Sequence, residues 1–252
     1  MAVEEEWLQR IRAGDRRTIA RVITAVENDP VRAETARAAL APHLGHAHIV
    51  GITGPGGAGK STLVNALVGE LVKRGQRVAV VAVDPSSSLT GGAVLGDRIR
   101  MAEHQAHERV FIRSLAARGH AGGLSRTTAQ VVDVLDAAGF DTVLVETVGA
   151  GQSEVAIAKL ARTRIVVCPP GLGDEVQALK AGVLEIADIL VVNKADLPGA
   201  DRTARDLLAM PPRRGDKSRR PVLNTTSTTG EGVAQLADAI TERMPSAGSS
   251  SG

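Results

Sequence analysis

The spacing of apolar residues changes character along the chain. In residues 3–44 it is helical. Trp7, Leu8 and Ile11 form one stripe, Ile19, Val22, Ile23 and Val26 a second, and Ala33, Ala36 and Leu40 a weaker third. Gly14-Asp15 and Asn28-Asp29-Pro30 separate the stripes, which makes Asp15 and Asp29 candidate helix caps. From residue 49 onward short aliphatic runs alternate with helical stripes. Residues 49–53, 77–84, 110–115, 141–149, 165–169, 189–192 and 222–226 read as buried strands. Between them lie helical patterns through Leu63, Val64, Leu67, Val68 and Leu71, then Leu124, Thr128, Val131, Val132 and Leu135, then Val176, Leu179, Val183 and Ile186. Leu236, Ile240 and Met244 predict a closing helix, and Ala116–Gly123 reads as a loop.

Strands alternating with helices predict an α/β fold with a mostly parallel sheet flanked by helices. The organisation expected is a helical extension over 1–45, an α/β domain over 46–244 and a flexible tail over 245–252. The helical extension is read as packing or as partner surface, packing being preferred.

Composition narrows the classes. Hydrophobic residues make up 43% of the 252 positions but aromatics only 1%, so the core must be aliphatic. A formal charge of +2 gives no electrostatic footprint for nucleic acid. The basic run 211–220 has no interleaved aromatics and reads as a solvated loop. The single cysteine, Cys168, lies in an apolar run and reads as a buried hydrophobe; with no disulfide framework and no signal-like N-terminus, the expectation is a cytoplasmic protein. No apolar run approaches membrane-spanning length, so no membrane partner is expected. His43, His46 and His48 cluster before the first strand. No cysteine or acidic residue joins them at zinc spacing, and they read as a helix-to-strand connection.

The chemistry begins at Gly54-Pro55-Gly56-Gly57-Ala58-Gly59-Lys60-Ser61, followed by Thr62. This is G-x-x-x-x-G-K-S between a strand and a helix, the phosphate-binding loop. Backbone N–H groups at a helix N-terminus cradle phosphate oxygens, Lys60 reaches the β- and γ-phosphates, and the Ser61 hydroxyl is placed to ligate Mg²⁺. Two further strands end in carboxylate motifs, Asp84 before the small-residue loop 85–97, and Glu146 in Glu146-Thr147-Val148-Gly149. Ligands of open α/β sheets collect at strand C-termini. An acid there can hold the metal, and Gly149 lets a backbone N–H approach the γ-phosphate. Asn193-Lys194-Ala195-Asp196 also ends a strand. An aspartate there accepts from N1–H and the 2-amino group of guanine, donors that adenine lacks, so a buried Asp196 selects GTP and GDP. Thr226-Ser227-Thr228 lies where a base-contacting loop is expected.

The combination of Val83-Asp84-Pro85-Ser86-Ser87, Thr90-Gly91-Gly92, Leu95-Gly96-Asp97-Arg98, Glu146 through Glu154, and Gly173-Asp174-Glu175-Val176-Gln177 resembles the MeaB/ArgK/MMAA family. These are P-loop GTPases of the SIMIBI class that act as chaperones of adenosylcobalamin-dependent acyl-CoA mutases such as methylmalonyl-CoA mutase. The resemblance implies a Mg²⁺-dependent GTPase, with Lys60, Asp84, Asp97 and Glu146 as the catalytic set and Ser61, Asp84, Asp97 and Glu146 around the metal. It implies switch residues Gln152, Asp174, Gln177 and Lys180, the last three in a segment that senses the mutase. It also implies guanine binding by Asn193, Lys194 and Asp196.

The chain departs from the family pattern at three places. Gly56 stands where proline is frequent, Thr226-Ser227-Thr228 replaces Ser-Ala, and the chain ends soon after Met244, where longer relatives continue into a dimer-forming arm. A homodimer through that arm is therefore not expected. The alternatives are a nickel or other metallochaperone GTPase, which predicts a Cys/His cluster, and a kinase-like component of lysine/arginine/ornithine transport, which predicts ATP use. A nucleotide-dependent interaction module without useful turnover is a third.

Overall fold

The computed structural model describes residues 2–84, 102–116, 121–147, 159–171, 183–211 and 220–244. Three helices open the chain: α1 (Ala2–Arg12), α2 (Arg16–Asn28) and α3 (Pro30–Leu40). Their boundaries follow from capping. The Asp15 carboxylate accepts from the N–H groups of Arg17 at 2.9 Å and Thr18 at 3.2 Å, and Asp29 does the same for Val31 and Arg32 at 3.0 and 3.2 Å. Each cap supplies partners for helix N–H groups that lack one within the helix, a contribution of about 1 kcal/mol.

The rest alternates. β1 (His48–Thr53) leads to α4 (Lys60–Lys73) and β2 (Val78–Asp84). Next come α5 (Ala102–Gln105), β3 (Val110–Ala116), α6 (Ala121–Ala137) and β4 (Thr142–Thr147). Then follow β5 (Thr163–Cys168), α7 (Val183–Ile186), β6 (Ile189–Asn193), α8 (Ala200–Leu208), β7 (Val222–Thr225) and α9 (Val233–Thr241). One expectation is corrected: α6 begins at Ala121, inside the stretch read as a loop to Gly123. Two glycines in its first turn masked the start, because glycine is a poor helix former.

The strands form one seven-stranded sheet in the order β3-β2-β4-β1-β5-β6-β7, and every pairing is parallel. The fold is a P-loop α/β fold. Alternate residues of each strand face opposite layers, as the period of two requires. Val50, Ile52, Leu144, Ile165 and Val167 pack with α4 and α9 through Leu63, Leu67, Leu236 and Ile240. Ile49, Val143 and Val145 face the other way and pack with Val131, Leu135 and Phe140.

The same cluster takes in Ile11, Ile19, Ile23, Val26, Ala33, Ala36 and Leu40, so the three opening helices share a core with the sheet. Polar links hold them there. The Asp136 carboxylate of α6 accepts from the N–H groups of Gly45, His46 and Ala47 at 2.5, 3.1 and 2.7 Å. Arg16 donates to the carbonyl of Val110 and lies over the Phe111 ring, 5.8 Å from its centroid. Arg113 of β3 pairs with Glu27 of α2, its Nε donating at 2.9 Å. Cys168 is buried, and burial pushes its thiol up to about 12, which keeps it a neutral packing group.

Candidate functional site

Because all seven strands are parallel, Thr53, Asp84, Ala116, Thr147, Cys168, Asn193 and Thr225 finish on one edge of the sheet. Connections from β1 run towards β2, and those from β5 run towards β6 and β7. The order therefore reverses between β1 and β5, and a crevice opens at such a point. The phosphate-binding loop leaves β1 there. Gly54 has φ +144°, and a Cβ on it would lie 2.1 Å from the carbonyl oxygen of Val167. Gly59 has φ +84°, and a Cβ would lie 2.5 Å from Nδ2 of Asn193. These two glycines are demanded by close backbone approach as well as by conformation. Gly56 faces open space without a positive φ.

α4 starts at Gly59 with no side-chain cap, unlike the aspartate-capped α2 and α3. Gly199 and Gly232 begin α8 and α9 in the same way. What distinguishes α4 is that its N-terminus sits at the sheet edge with a buried cation beside it. Lys60 is buried, and its Nζ donates to the carbonyls of Gly54 at 2.8 Å and Pro55 at 3.0 Å. An anion against these N–H groups meets the positive end of the helix and the ammonium together.

Ser61 and Glu146 come from α4 and β4, yet the serine Oγ donates to Glu146 Oε1 at 2.7 Å. Glu146 is buried beside Ile52 of β1 and Ala82 of β2 in the register. A hydroxyl and a carboxylate side by side are hard oxygen donors, the set Mg²⁺ prefers, so the residues fit that ion. Asp84 ends β2 on the same edge, in register with Ala116. One residue on from Glu146, the Thr147 hydroxyl donates to that of Thr53 at 3.0 Å. This link joins the end of β4 to the residue before Gly54, and no local pattern signals it.

The end of β6 carries a second unforeseen link. Asn193 is 1% exposed. Its Nδ2 donates to the carbonyls of Ala58 at 2.9 Å and Gly59 at 3.3 Å, and its Oδ1 accepts from the hydroxyls of Thr225 at 3.1 Å and Ser227 at 2.5 Å. One amide therefore braces the phosphate loop against the segment after β7. Lys194 follows with φ 58°, rare for a residue with a side chain, and its stem lies over Gly59. Asp196 is exposed. The expectation of a buried aspartate is thereby corrected, because the turn after β6 leaves this side chain in solvent. Thr226 is buried and bridged to Glu231, Ser227 is half-buried, and Thr228 is exposed.

Asp97, Gly149, Gln152, Asp174, Gln177 and Lys180 lie outside the described residues, as do the loop 85–97 and residues 148–154. Among the described residues no three His, Cys, Asp or Glu side chains converge as a metal cluster. Of the three clustered histidines, His48 is the first residue of β1 and is buried, its Nε2 2.9 Å from the Thr163 hydroxyl. Burial pushes its pKa down to about 4, with Arg162 adding to the shift. No described helix is long and apolar enough to cross a membrane.

The model of the methylmalonyl-CoA mutase-associated GTPase MeaB matches residues 19–251. The chain belongs to the MeaB family. A Pyrococcus horikoshii protein designated a GTPase is 51% identical over 243 residues, which cover 94% of this chain and 77% of that one. The mouse mitochondrial methylmalonic aciduria type A homolog is 38% identical, over 77% of this chain and 48% of its own length. The solved structure of a LAO/AO transport system kinase superposes with a TM-score of 0.78 at 30% identity, covering 96% of this chain and 75% of that one. As a MeaB-family member the chain is a P-loop GTPase that binds guanine nucleotide, and the family is associated with methylmalonyl-CoA mutase by name.

Proposed function

We propose that the chain hydrolyses GTP to GDP and phosphate with Mg²⁺, and that hydrolysis gates cobalamin loading or protection of an adenosylcobalamin-dependent acyl-CoA mutase. The observation that carries the chemistry is the 2.7 Å contact between Ser61 of the phosphate loop and Glu146 at the end of β4. It places the two elements that must meet at a γ-phosphate in direct touch. Lys60 and the N–H groups at the start of α4 stabilise charge developing on the transferring phosphoryl group. Asn193 holds the loop carbonyls in place, so this electrostatic cradle needs little reorganisation. Asp196 accepts from guanine, while Thr226, Ser227 and Thr228 form the wall next to the base. Ser61 and Glu146, with Asp84 and Asp97 completing the acidic set, would hold Mg²⁺, which would supply positive charge to the transferring phosphoryl group.

The mutase link rests on the family name and on the resemblance at Asp174, Gln177 and Lys180. A nucleotide-dependent chaperone must show affinity for its partner that differs between GTP and GDP, and the linkage is reciprocal. Titration of candidate adenosylcobalamin mutases against GTP-analogue-loaded and GDP-loaded protein tests this. A mutase that binds one state more tightly and accelerates turnover supports the reading. No binding and no change of rate with any such mutase overturns the chaperone role. Lys60→Ala should lower turnover by a factor on the order of 10² or more. Full turnover in that variant would sink the catalytic assignment. Asp196→Asn should weaken GTP and improve xanthosine triphosphate, whose 2-oxo group accepts instead of donating. Equal affinity of the parent for ATP and GTP would remove the premise.

A further inference from the structure

The opening helices do more than cover the sheet. Their outer side encloses a groove of about 440 Å³ whose walls come from α1, α2 and α3. Trp7, Val22 and Val26 supply its apolar floor, and Arg10, Arg21 and Arg32 stand around it. Trp7 and Val22 remain only partly buried although they pack on the core. At the nearby α2–α3 corner Val31 is 76% exposed, the largest exposure among the large apolar side chains described.

The charge around the groove is one-sided. Against the three arginines its lining holds one carboxylate, Glu6. Arg10 meets Glu6 only at 3.7 Å and Asp15 at 3.5 Å, with its side chain 55% exposed. Arg32 is 73% exposed and 3.3 Å from Asp29. Oδ1 of Asp15 and of Asp29 accepts from the N-termini of α2 and α3, and only their Oδ2 atoms face Arg10 and Arg32. Arg21 is exposed at the mouth of the groove.

The groove is also preformed. Arg16 and the Arg113–Glu27 pair fasten α2 to β3, and Asp29 fixes the turn into α3. An occupant therefore meets a surface that does not need ordering, which lowers the cost of association.

We infer that this groove is a docking surface for an amphipathic helix of a protein partner whose aliphatic stripe is flanked by carboxylates. The apolar floor accepts side chains spaced three and four apart on one helix face, and the arginines receive the flanking acids. This surface goes beyond the nucleotide-site reading and does not depend on it, since its lining comes from α1–α3.

Trp7 is the only tryptophan in the chain, so its fluorescence reports on the groove directly. The probe is a designed 15-residue helical peptide with a leucine stripe flanked by glutamates, compared with the same stripe flanked by lysines. The full chain should show a saturable shift of Trp7 emission with the glutamate peptide, weakening as salt rises. Affinity for the lysine peptide should be lower by about tenfold or more. Arg21→Glu exchanges an exposed side chain and should reduce glutamate-peptide affinity at least about fivefold. Thr35→Tyr fills the groove from an exposed α3 position and should abolish the response. Both variants should keep the parent's melting temperature and basal GTP turnover.

Equal response to the two peptides, or no response to either, overturns the proposal. So does binding unaffected by both substitutions. A Trp7 shift that follows protein concentration alone, with sedimentation showing self-association, assigns the face to a second copy instead. Tight binding of anionic phosphatidylglycerol vesicles without peptide binding assigns it to a lipid surface. Loss of GTP turnover in the parent would count against the nucleotide-site reading and leave the groove untouched.

Discussion

Replacing Asn193 by alanine separates the bracing of the phosphate loop from recognition of the base. The substitution deletes donors to Ala58 and Gly59 and acceptors for Thr225 and Ser227. The contact with Gly59 at 3.3 Å is long, so about three full bonds are lost. At roughly 0.5–1.5 kcal/mol each, the cost to stability is about 2–4 kcal/mol. Thr225 is fully buried and has no water to turn to, which puts the value in the upper half of that range. A domain with roughly 5–15 kcal/mol of stability survives such a loss. Released from its brace, the loop must be ordered by the ligand, and GTP and GDP affinities should both fall by about 10- to 100-fold, or roughly 1.4–2.8 kcal/mol. Urea unfolding gives the first number and nucleotide titration the second. Asp196→Ala is the control. That side chain is exposed, so stability should stay within about 0.5 kcal/mol of the parent while guanine preference is lost. If Asn193→Ala loses less than about 1 kcal/mol and binds GTP like the parent, the bracing argument is refuted.

Three further predictions test the loop, the buried His48 and the half-buried Asp133. Gly54→Ala should abolish nucleotide binding, because its Cβ would meet the Val167 carbonyl at 2.1 Å, whereas Gly56→Ala should bind normally; equal behaviour in nucleotide titration would show that the loop geometry is wrong. His48 has a folded pKa near 4, below its ordinary 6.5, so the unfolded chain takes up the proton first. Stability should be fully present above about pH 6.5 and fall as pH drops towards 4, by at most roughly 3 kcal/mol from this group, and His48→Gln should flatten that limb in urea melts at pH 7.5 and 4.5. Asp133 is pushed up to about 6 by burial and by the neighbouring Asp136, so its charge opposes folding above that pH. Asp133→Asn should raise stability by about 1–2 kcal/mol at pH 7 and by nothing near pH 3.5; a gain that does not depend on pH would point to packing instead.

Much of this molecule follows from local pattern. The aspartate caps of α2 and α3, the seven strands and the phosphate loop could be placed because each is fixed within a few residues by conformational preference and burial period. The preference for glycine at φ +84° in Gly59 is likewise local, although the approach of Asn193 to the same residue is not. The early start of α6 was not legible, since glycines weaken the helical signal and only packing selects the helix.

The seven strands, the strand–loop–helix that carries Lys60 and Ser61, the acid near the end of β4, and the family are legible in the residues alone, whereas α5 and α8 are not among the helices that the apolar pattern predicts. Which strand lies beside which is decided by long-range pairing, and no local rule sets it. Only the order β4-β1-β5-β6-β7 brings Glu146 to Ser61, 85 residues away in sequence, and Asn193 to Ala58, 135 away. The groove over Trp7 has the same origin. Each stripe of α1–α3 faces the core by its own periodicity, but the arginines surround a common hollow only when the three helices pack on β3 and α6. Sequence spacing encodes which face of an element is apolar. The partner of that face, and the polar atoms it brings within 3 Å, exist only once the chain has closed on itself.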